Sequence, residues 1–253
     1  MNKIKNIDFT DFYFNGHWLS EFGGMIGGTE PIKDYPLLPE REYITDRAIN
    51  QDGETLFNSY LKTRTFEVPI FFENIDQVGI RKIAQWLNSP SPDWFYYRND
   101  SLKIKCVLDS GGSNLESLAV YGGTANLKFI AFDPYYYQLT NTVIEKNNIT
   151  TTKTTLSYVN EGSECFCVLK LWGSGTIKVT VYKDSDVFKS CTVTDVVSGI
   201  IIDSLNHTCD AISGANKLDF FDGEFPTIPN GNYKIMIEGN ISTLYFLPIY
   251  RFI

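Results

Sequence analysis

The sequence predicts a mainly β protein of two domains. Short segments in which apolar and polar residues alternate recur along most of the chain, and turn residues such as Gly, Asn and Asp separate them. Only one segment has the apolar spacing of a helix. A polar stretch at 139–156 divides a first block, which contains this helix, from a second block of strands alone. These observations predict one mixed domain, one linker and one all-β domain.

The composition supports packed domains and limits the classes of partner. The chain has 253 residues, of which 43% are hydrophobic and 15% aromatic, and this suffices for buried cores. Its formal net charge is −8 and its Lys and Arg residues form no run, so no nucleic-acid partner is expected. No window approaches the roughly 20 apolar residues of a membrane span, and the opening MNKIKNIDFTDF does not resemble a signal peptide. The sequence predicts a soluble protein made in a cytoplasm, with no membrane partner.

The first block is predicted to begin with a strand pair. Aromatic residues within Phe9–Leu19 flank Asn15 and Gly16, a dipeptide that tolerates positive φ and commonly closes a hairpin. Thr65–Phe72 alternates cleanly, and Pro69 on its other face indicates an edge position or a bulge. Further strands are predicted at Asp93–Tyr97, Lys103–Leu108 and Leu127–Phe132.

The single helix follows the strand Thr65–Phe72. Asn74 or Asp76 is placed to cap its amino terminus, and Asn88-Ser-Pro90 ends it. Spacing of i, i+3, i+4 and i+7 predicts one apolar stripe against a sheet, formed by Ile80, Ile83, Ala84 and Leu87.

Two segments near the amino terminus have an unusual composition. Gly23, Gly24, Gly27 and Gly28 lack the preceding strand and following helix of a phosphate loop, which favours flexible or close-packed backbone. Thr29–Asp52 carries three prolines amid charges of both signs. This pattern predicts an extended arm that contacts a partner.

The boundary between the blocks lies within Leu127–Asn160. The strand at its start ends at Asp133 and Pro134, because proline has no N–H to give to a neighbouring strand. Beyond Gln138 the chain is rich in Asn, Thr, Lys and Glu, and it lacks apolar periodicity. We therefore predict a first domain at 1–138, a linker at 139–156 and a second domain at 157–253.

The second block is predicted to be a β-sandwich, because many short strands are separated by regular turn signals. Gly173 and Gly175 are interpreted as a hairpin turn, since the residues after them alternate as a strand and exclude a dinucleotide loop. Asn230-Gly231 is a second predicted turn, and Phe225 is expected in the core. The predicted strands are Cys165–Trp172, Thr176–Tyr182, Cys191–Val196, Gly199–Ile202, Lys217–Phe221, Tyr233–Glu238 and Thr243–Phe252.

The sequence offers little support for catalysis. His17 and His207 lie at no metal-ligand spacing, and the five cysteines form no C-x-x-C and are interpreted as reduced core thiols. No nucleophile motif is present, so we predict no catalytic, metal or cofactor-binding residues and no cofactor. Hydrolysis of a glycosidic bond needs two carboxylates, and the candidates by type alone are Asp203, Asp210, Asp219, Asp222 and Glu224.

A carbohydrate-binding sandwich is the alternative to a structural protein. Aromatic side chains can form platforms on which sugars stack, although Phe and Tyr in strands more often lie in a core or a subunit interface. This alternative would make the chain a lectin that attaches to the saccharide of the host cell wall.

Several local motifs, in this order and spacing, together resemble the distal tail proteins (Dit) of siphophages that infect Gram-positive bacteria. The resemblance covers nearly the whole chain. The motifs are Phe12-Tyr-Phe-Asn15-Gly16, Arg64-Thr-Phe-Glu-Val68-Pro69, Phe132-Asp133-Pro134-Tyr135, Ile201-Ile-Asp203-Ser204 and Gly223-Glu-Phe225-Pro226 running into Pro229-Asn-Gly231-Asn232.

The resemblance implies a structural virion protein and no enzyme. It implies a tail-tube-like domain at 1–138 that assembles as a homohexameric ring, and a galectin-like or carbohydrate-module-like sandwich at 157–253. The implied partners are the tail tube protein, the tail-associated (tail fibre or hub) protein, and an upper baseplate or receptor-binding protein. The implied location is the distal end of the phage tail, after assembly in the cytoplasm of the host bacterium.

Overall fold

The structure is a computed structural model that describes residues 8–27, 38–47, 52–111, 114–118 and 122–253. The chain divides into two compact units, Met1–Leu139 together with Ile253, and Thr140–Phe252. Strands dominate both units, so the predicted mainly β fold class is confirmed. Each unit has its own hydrophobic core.

The first unit contains the one α-helix of the described residues, α1 at Gln77–Leu87, and a 3₁₀ turn at Leu19–Phe22. Its strands are β1 Asp8–Phe14, β2 His17–Trp18, β3 Gly24–Ile26, β4 Arg41–Asp46, β5 Thr55–Leu61, β6 Arg64–Phe72, β7 Asp93–Arg98, β8 Leu102–Leu108, β9 Asn114–Leu118, β10 Gly122–Ala131 and β11 Tyr136–Gln138.

Strand β6 pairs with β10 along its whole length and with β3 on its other edge. Strand β8 pairs with β10, β7 and β11, and β7 pairs in turn with β1. All of these pairs are antiparallel. Strands β4 and β5 pair only with each other and form a separate two-stranded sheet.

The turn between β1 and β2 confirms the prediction from Asn15 and Gly16. Both residues have positive φ, 43° and 85°, as a type I′ hairpin turn requires. Phe14 is the registered partner of His17 across this turn. The side-chain amide of Asn15 also donates to the carbonyl oxygen of Trp86 at 2.6 Å, which ties the hairpin to the end of α1.

Aromatic rings form the centre of the first core. Phe129 lies on β10 and is fully buried, and its ring centroid is 5.4 Å from that of Phe66 and 5.1 Å from that of Phe95. Phe12 and Phe14 of β1 contact the same ring from a third strand. Alternation along each strand places these rings on one inner face.

Helix α1 begins where the sequence predicts. The Asp76 carboxylate accepts a hydrogen bond from the backbone N–H of Gly79 at 2.6 Å and caps the helix. The predicted stripe is only half right, because Ile80 and Ala84 are exposed, whereas the buried side chains are Ile83, Trp86 and Leu87. Trp86 is buried because its indole N–H finds a partner, the carbonyl oxygen of Phe14, at 2.6 Å.

The second unit consists of strands and one 3₁₀ turn at Leu218–Phe220. The strands are β12 Ile144–Lys146, β13 Lys153–Lys183, β14 Asp186–Val196, β15 Ile200–Asp203, β16 Thr208–Ala211, β17 Phe221–Gly223 and β18 Ile228–Phe252. The strand predicted at Lys217–Phe221 is therefore mostly the 3₁₀ turn, followed by the short β17.

Two long strands, β13 and β18, build both layers of this unit. One layer contains 153–160, 231–238 and 178–183, followed by β14 and β17. The other contains β12, 244–251 and 164–171, followed by β15 and β16. Inward-facing side chains of both layers share one hydrophobic core, so the predicted sandwich is present.

The turns predicted at Gly173-x-Gly175 and at Asn230-Gly231 are wrong, because both lie inside continuous strands. The pairing register shifts at Gly173, where β13 passes from one layer to the other. A methyl group at Gly173 would overlap the carbonyl oxygen of Asn240, so glycine is needed there for close backbone approach and not for a turn.

The predicted linker at 139–156 is also corrected. The division between the units falls after Leu139, and the residues that follow belong to the second unit. Ile144 and Ile149 pack against its core, Leu156 is buried in it, and β12 pairs with β18. These three isolated apolar residues hold the polar stretch against the sandwich. Average composition does not detect them, because they are few and follow no regular period.

Candidate interaction surfaces

The cysteine and histidine side chains, which could serve catalysis or metal binding, are buried or contact neighbouring side chains. All five cysteines are buried and unpaired, as predicted. His17 bonds to Glu21 at 2.8 Å, and His207 stacks on Phe225 with ring centroids 5.2 Å apart. No cluster of His, Cys, Asp and Glu that could hold a metal occurs among the described residues. Within the same residues, no helix is long and apolar enough to cross a membrane.

We expect the five thiols of the folded chain to resist alkylation and reaction with an aromatic disulfide reagent. Burial raises the pKa of Cys191 to about 12 and the pKa of Cys165 to about 11, so little reactive thiolate forms at pH 8. Reaction should be slower than in denaturant by about a hundredfold or more, because it waits for local opening. An exposed thiol from Ser185→Cys is the matched control and should react at once. Rapid reaction of the native chain would contradict this prediction.

Of the five candidate carboxylates of the second unit, Asp210 lies on β16, Asp222 lies on β17 and Asp219 lies in the 3₁₀ turn, while the other two make local polar contacts. Asp203 accepts hydrogen bonds from the backbone N–H groups of Leu205 and Asn206 at 2.9 and 3.1 Å. Glu224 lies 3.9 Å from the Lys189 ammonium. These contacts give both carboxylates a role in the local fold.

Phe225 packs against the second core, where it was expected, but it is only half-buried and lies at the edge of that core. Its ring stacks between Phe221, at 4.3 Å, and His207. The neighbouring Leu218 and Phe220 are exposed. This stack of aromatic rings is a surface on which a sugar ring could stack.

The hairpin β4–β5 is the most exposed apolar element of the described chain. Every residue of β4 is exposed, and the side chain of Phe57 on β5 is 66% exposed. Strand β4 of this hairpin lies in the predicted arm Thr29–Asp52, and β5 follows the arm. The remaining arm residues, 29–37 and 48–51, lie outside the described residues.

Both faces of the hairpin are apolar. Thr45 pairs with Leu56, which places the exposed side chains of Tyr43 and Leu56 on the same face. Glu42 pairs with Tyr60, so Ile44 and Tyr60 share the opposite face. An isolated two-stranded hairpin is marginally stable in water, and exposed apolar patches mark interaction sites.

A cavity of about 710 Å³ lies beside α1, between the helix and the sheet. It is lined mainly by apolar side chains, including Phe72, Ile80, Leu87 and Leu127. The exposed residues Ile80 and Ala84 of α1 face this space, which explains why half of the predicted stripe is not buried.

A third surface lies on the outer side of β1, β7 and β8. The Asp11 carboxylate is buried and binds the Arg98 guanidinium, which also lies 4.7 Å over the ring of Trp18. Tyr13 and Tyr96 stack beside this pair with centroids 4.8 Å apart. Tyr, Trp and Arg are the residue types enriched in the cores of protein interfaces.

Comparison with known protein families gives a match for the first unit. Residues 7–131 match the family model described as the phage tail protein N-terminal domain. Residues 7–131, which we call the tail domain, are similar to this family. The match covers the strands β1 to β10 and α1, and thus includes the hairpin and the outer face of β7 and β8. No curated protein sequence matches the chain.

The whole chain also has the fold of solved tail proteins. The SPP1 Dit protein, described as a paradigm of the hub adsorption apparatus in phages that infect Gram-positive bacteria, matches with a TM-score of 0.72 at 13% identity. The match covers 96% of this chain and 99% of that one. A component of the phage P2 baseplate, in its activated conformation with Ca, matches with a TM-score of 0.51 at 8% identity, covering 94% and 97%.

The predicted resemblance to distal tail proteins is confirmed by the tail domain and this fold. The similar proteins are structural parts of tails and baseplates. The tail-tube-like and galectin-like characters of the two units stay predictions.

Proposed function

We propose that this chain is the hub of a phage tail tip. As a homohexameric ring it would join the tail tube to the tail-associated protein and carry an upper baseplate or receptor-binding protein at its periphery. The observation that carries this proposal is fold similarity over 96% of this chain and 99% of the SPP1 Dit protein, whose description names a hub. The tail domain at 7–131 supports it independently. The proposed location is the distal end of the tail, after assembly in the bacterial cytoplasm.

The proposed role is structural and not enzymatic. In support of this, the five thiols are buried, Asp203 is engaged in a turn, and Glu224 lies near the Lys189 ammonium. Hub function needs complementary surfaces between subunits instead, and the tail domain provides these as the exposed hairpin and the aromatic outer face.

We assign ring formation to the first unit and partner binding at the periphery to the second. The second unit buries its own two layers against each other, whereas the first exposes a hairpin that is apolar on both faces. A closed ring of identical subunits requires each to offer two different, complementary patches.

Purified protein should therefore appear in negative-stain images as a six-fold ring with a central opening, and light scattering should give a hexameric mass. A fragment of residues 1–139 should still form a discrete oligomer, and a fragment of 140–253 should be monomeric. A monomeric full chain at all accessible concentrations would overturn the hub. A hexameric second fragment beside a monomeric, folded first one would overturn the assignment of the ring to the tail domain.

The alternative function is attachment to cell-wall saccharide through the second unit. The observation in its favour is the half-exposed stack of Phe221, Phe225 and His207. We expect a glycan array to give no binding that free sugar competes away, because such sites combine aromatic platforms with several convergent polar groups. Competable binding that Phe225→Ala abolishes, and Phe188→Ala does not, would establish the lectin instead.

A further inference from the structure

The outer face of β7 and β8 carries two lysines with one tryptophan between them. Alternation places Phe95 and Ile104 in the core and therefore directs Trp94, Lys103 and Lys105 outward. The ammonium of Lys103 lies 4.4 Å from the centre of the Trp94 ring, and that of Lys105 lies 5.8 Å from it. We call these three residues the lysine–tryptophan face.

Neither lysine of this face has a carboxylate within ion-pair distance among the described residues. The ion pairs of the first unit use other cations, including Lys62, Arg98 and Lys128. The two ammonium groups lie near one ring and repel each other. The cation–π attraction of each to the ring is only modest at a partly exposed site, so it does not remove the need for a negative partner. The lysine–tryptophan face is therefore suited to bind a negatively charged group from outside the subunit.

The hairpin β4–β5 of the same chain has the complementary properties. Its segment 41–61 contains four carboxylates against two arginines. Its Asp52 and Glu54 are exposed and directly precede β5, and its aromatic side chains are exposed on both faces. The face offers Tyr13 and Tyr96 as stacked aromatic neighbours of the lysines, so both apolar and charged groups are complementary.

We propose that the hairpin of one copy docks on the lysine–tryptophan face of the next copy, with its Asp52 and Glu54 carboxylates against Lys103 and Lys105. The inference rests on the proposed ring, for which it names the two contacting patches. The contact is head-to-tail, because hairpin and face are different patches of one chain. Repetition of such a contact closes a ring when the rotation per subunit divides a full turn.

Charge reversal on full-length protein tests the pairing. One variant carries Lys103→Glu with Lys105→Glu, and the other carries Asp52→Lys with Glu54→Lys. Each alone places like charges in contact and should raise the concentration needed for assembly by about tenfold or more. Both pairs of changes in one chain should restore assembly. Arg81→Glu with Lys82→Glu, on the exposed side of α1, is the matched control and should assemble normally.

A mixture of the two variants is the sharpest arm of the test. The lysine hairpin of one variant meets the glutamate face of the other, and the acidic hairpin meets the lysine face. Rings should therefore form only in the mixture, and native mass spectrometry should find equal numbers of the two variants in each ring. Circular dichroism confirms that each separate variant is folded.

The outcomes separate this inference from the hub proposal. Rings that form in every variant would overturn the docking and leave the hub intact, and a wild-type chain that never assembles would overturn both. Loss of assembly without restoration in the mixture would overturn the pairing of these two patches. Binding of a labelled single-stranded oligonucleotide that Lys103→Glu with Lys105→Glu abolishes, with assembly unchanged, would assign the face to a polyanion and overturn the proposal.

Discussion

Replacing Phe129 with alanine is expected to lower the free energy of unfolding of the first unit by about 3–5 kcal/mol. Its side chain is fully buried, and four other phenylalanine rings surround it. Removing the ring leaves a cavity among rigid neighbours on three strands, which limits how far the core can collapse to fill it. Urea unfolding followed by tryptophan fluorescence measures the change, because Trp18, Trp86 and Trp94 all lie in this unit.

Phe132→Ala is the matched control, since it removes the same ring three residues away. Phe132 is 62% exposed, so its replacement should change the free energy of unfolding by no more than about 0.5 kcal/mol. Equal effects of the two substitutions would show that the ring of Phe129 does not organise the core.

Local signals account for most of the elements that the sequence predicts correctly. Asn15 and Gly16 specify their turn because the positive φ of both residues is a property of the dipeptide itself. Asp76 caps α1 through a bond to a residue three positions away. The alternation in β6 reflects one buried and one open face, and it requires no knowledge of the partner strand.

The errors occur where distant parts of the chain decide the structure. Gly173 looks like a turn residue in isolation, yet it allows the backbone of β13 to approach Asn240 of β18. Trp86 is buried because a carbonyl of Phe14, far away in sequence, accepts its N–H. Neither neighbour is visible in a local window, so Gly173 was interpreted as a turn and Trp86 was left out of the predicted apolar stripe.

Of the two proposed docking surfaces, one was predicted from the local sequence and the other was not. An arm that contacts a partner was predicted from prolines and charges, and its described part contains β4, one strand of the exposed hairpin. The lysine–tryptophan face was missed, although a signal for it exists in the alternation of Asp93–Arg98 and of Leu102–Leu108. Assigning the outward-facing residues of each strand would have identified Trp94 and Lys105 as exposed to the same side. That the two are neighbours follows only from the register between the strands.

Replacing Gly173 with alanine is expected to cost the second unit about 3 kcal/mol, because the added methyl group overlaps backbone atoms that have nowhere to move. It would collide with the carbonyl oxygen of Asn240 and lie 2.9 Å from the Cα atom of Ile241, at the bulge where β13 changes layer. Gly175→Ala, two residues on, is the matched control. Its φ of 84° strains alanine by about 1–2 kcal/mol, but no atom lies within 4 Å of the new methyl group. Calorimetry of the second unit's transition should therefore show the larger fall in melting temperature for Gly173→Ala, and the reverse order would mean that the two layers are not joined through this close approach.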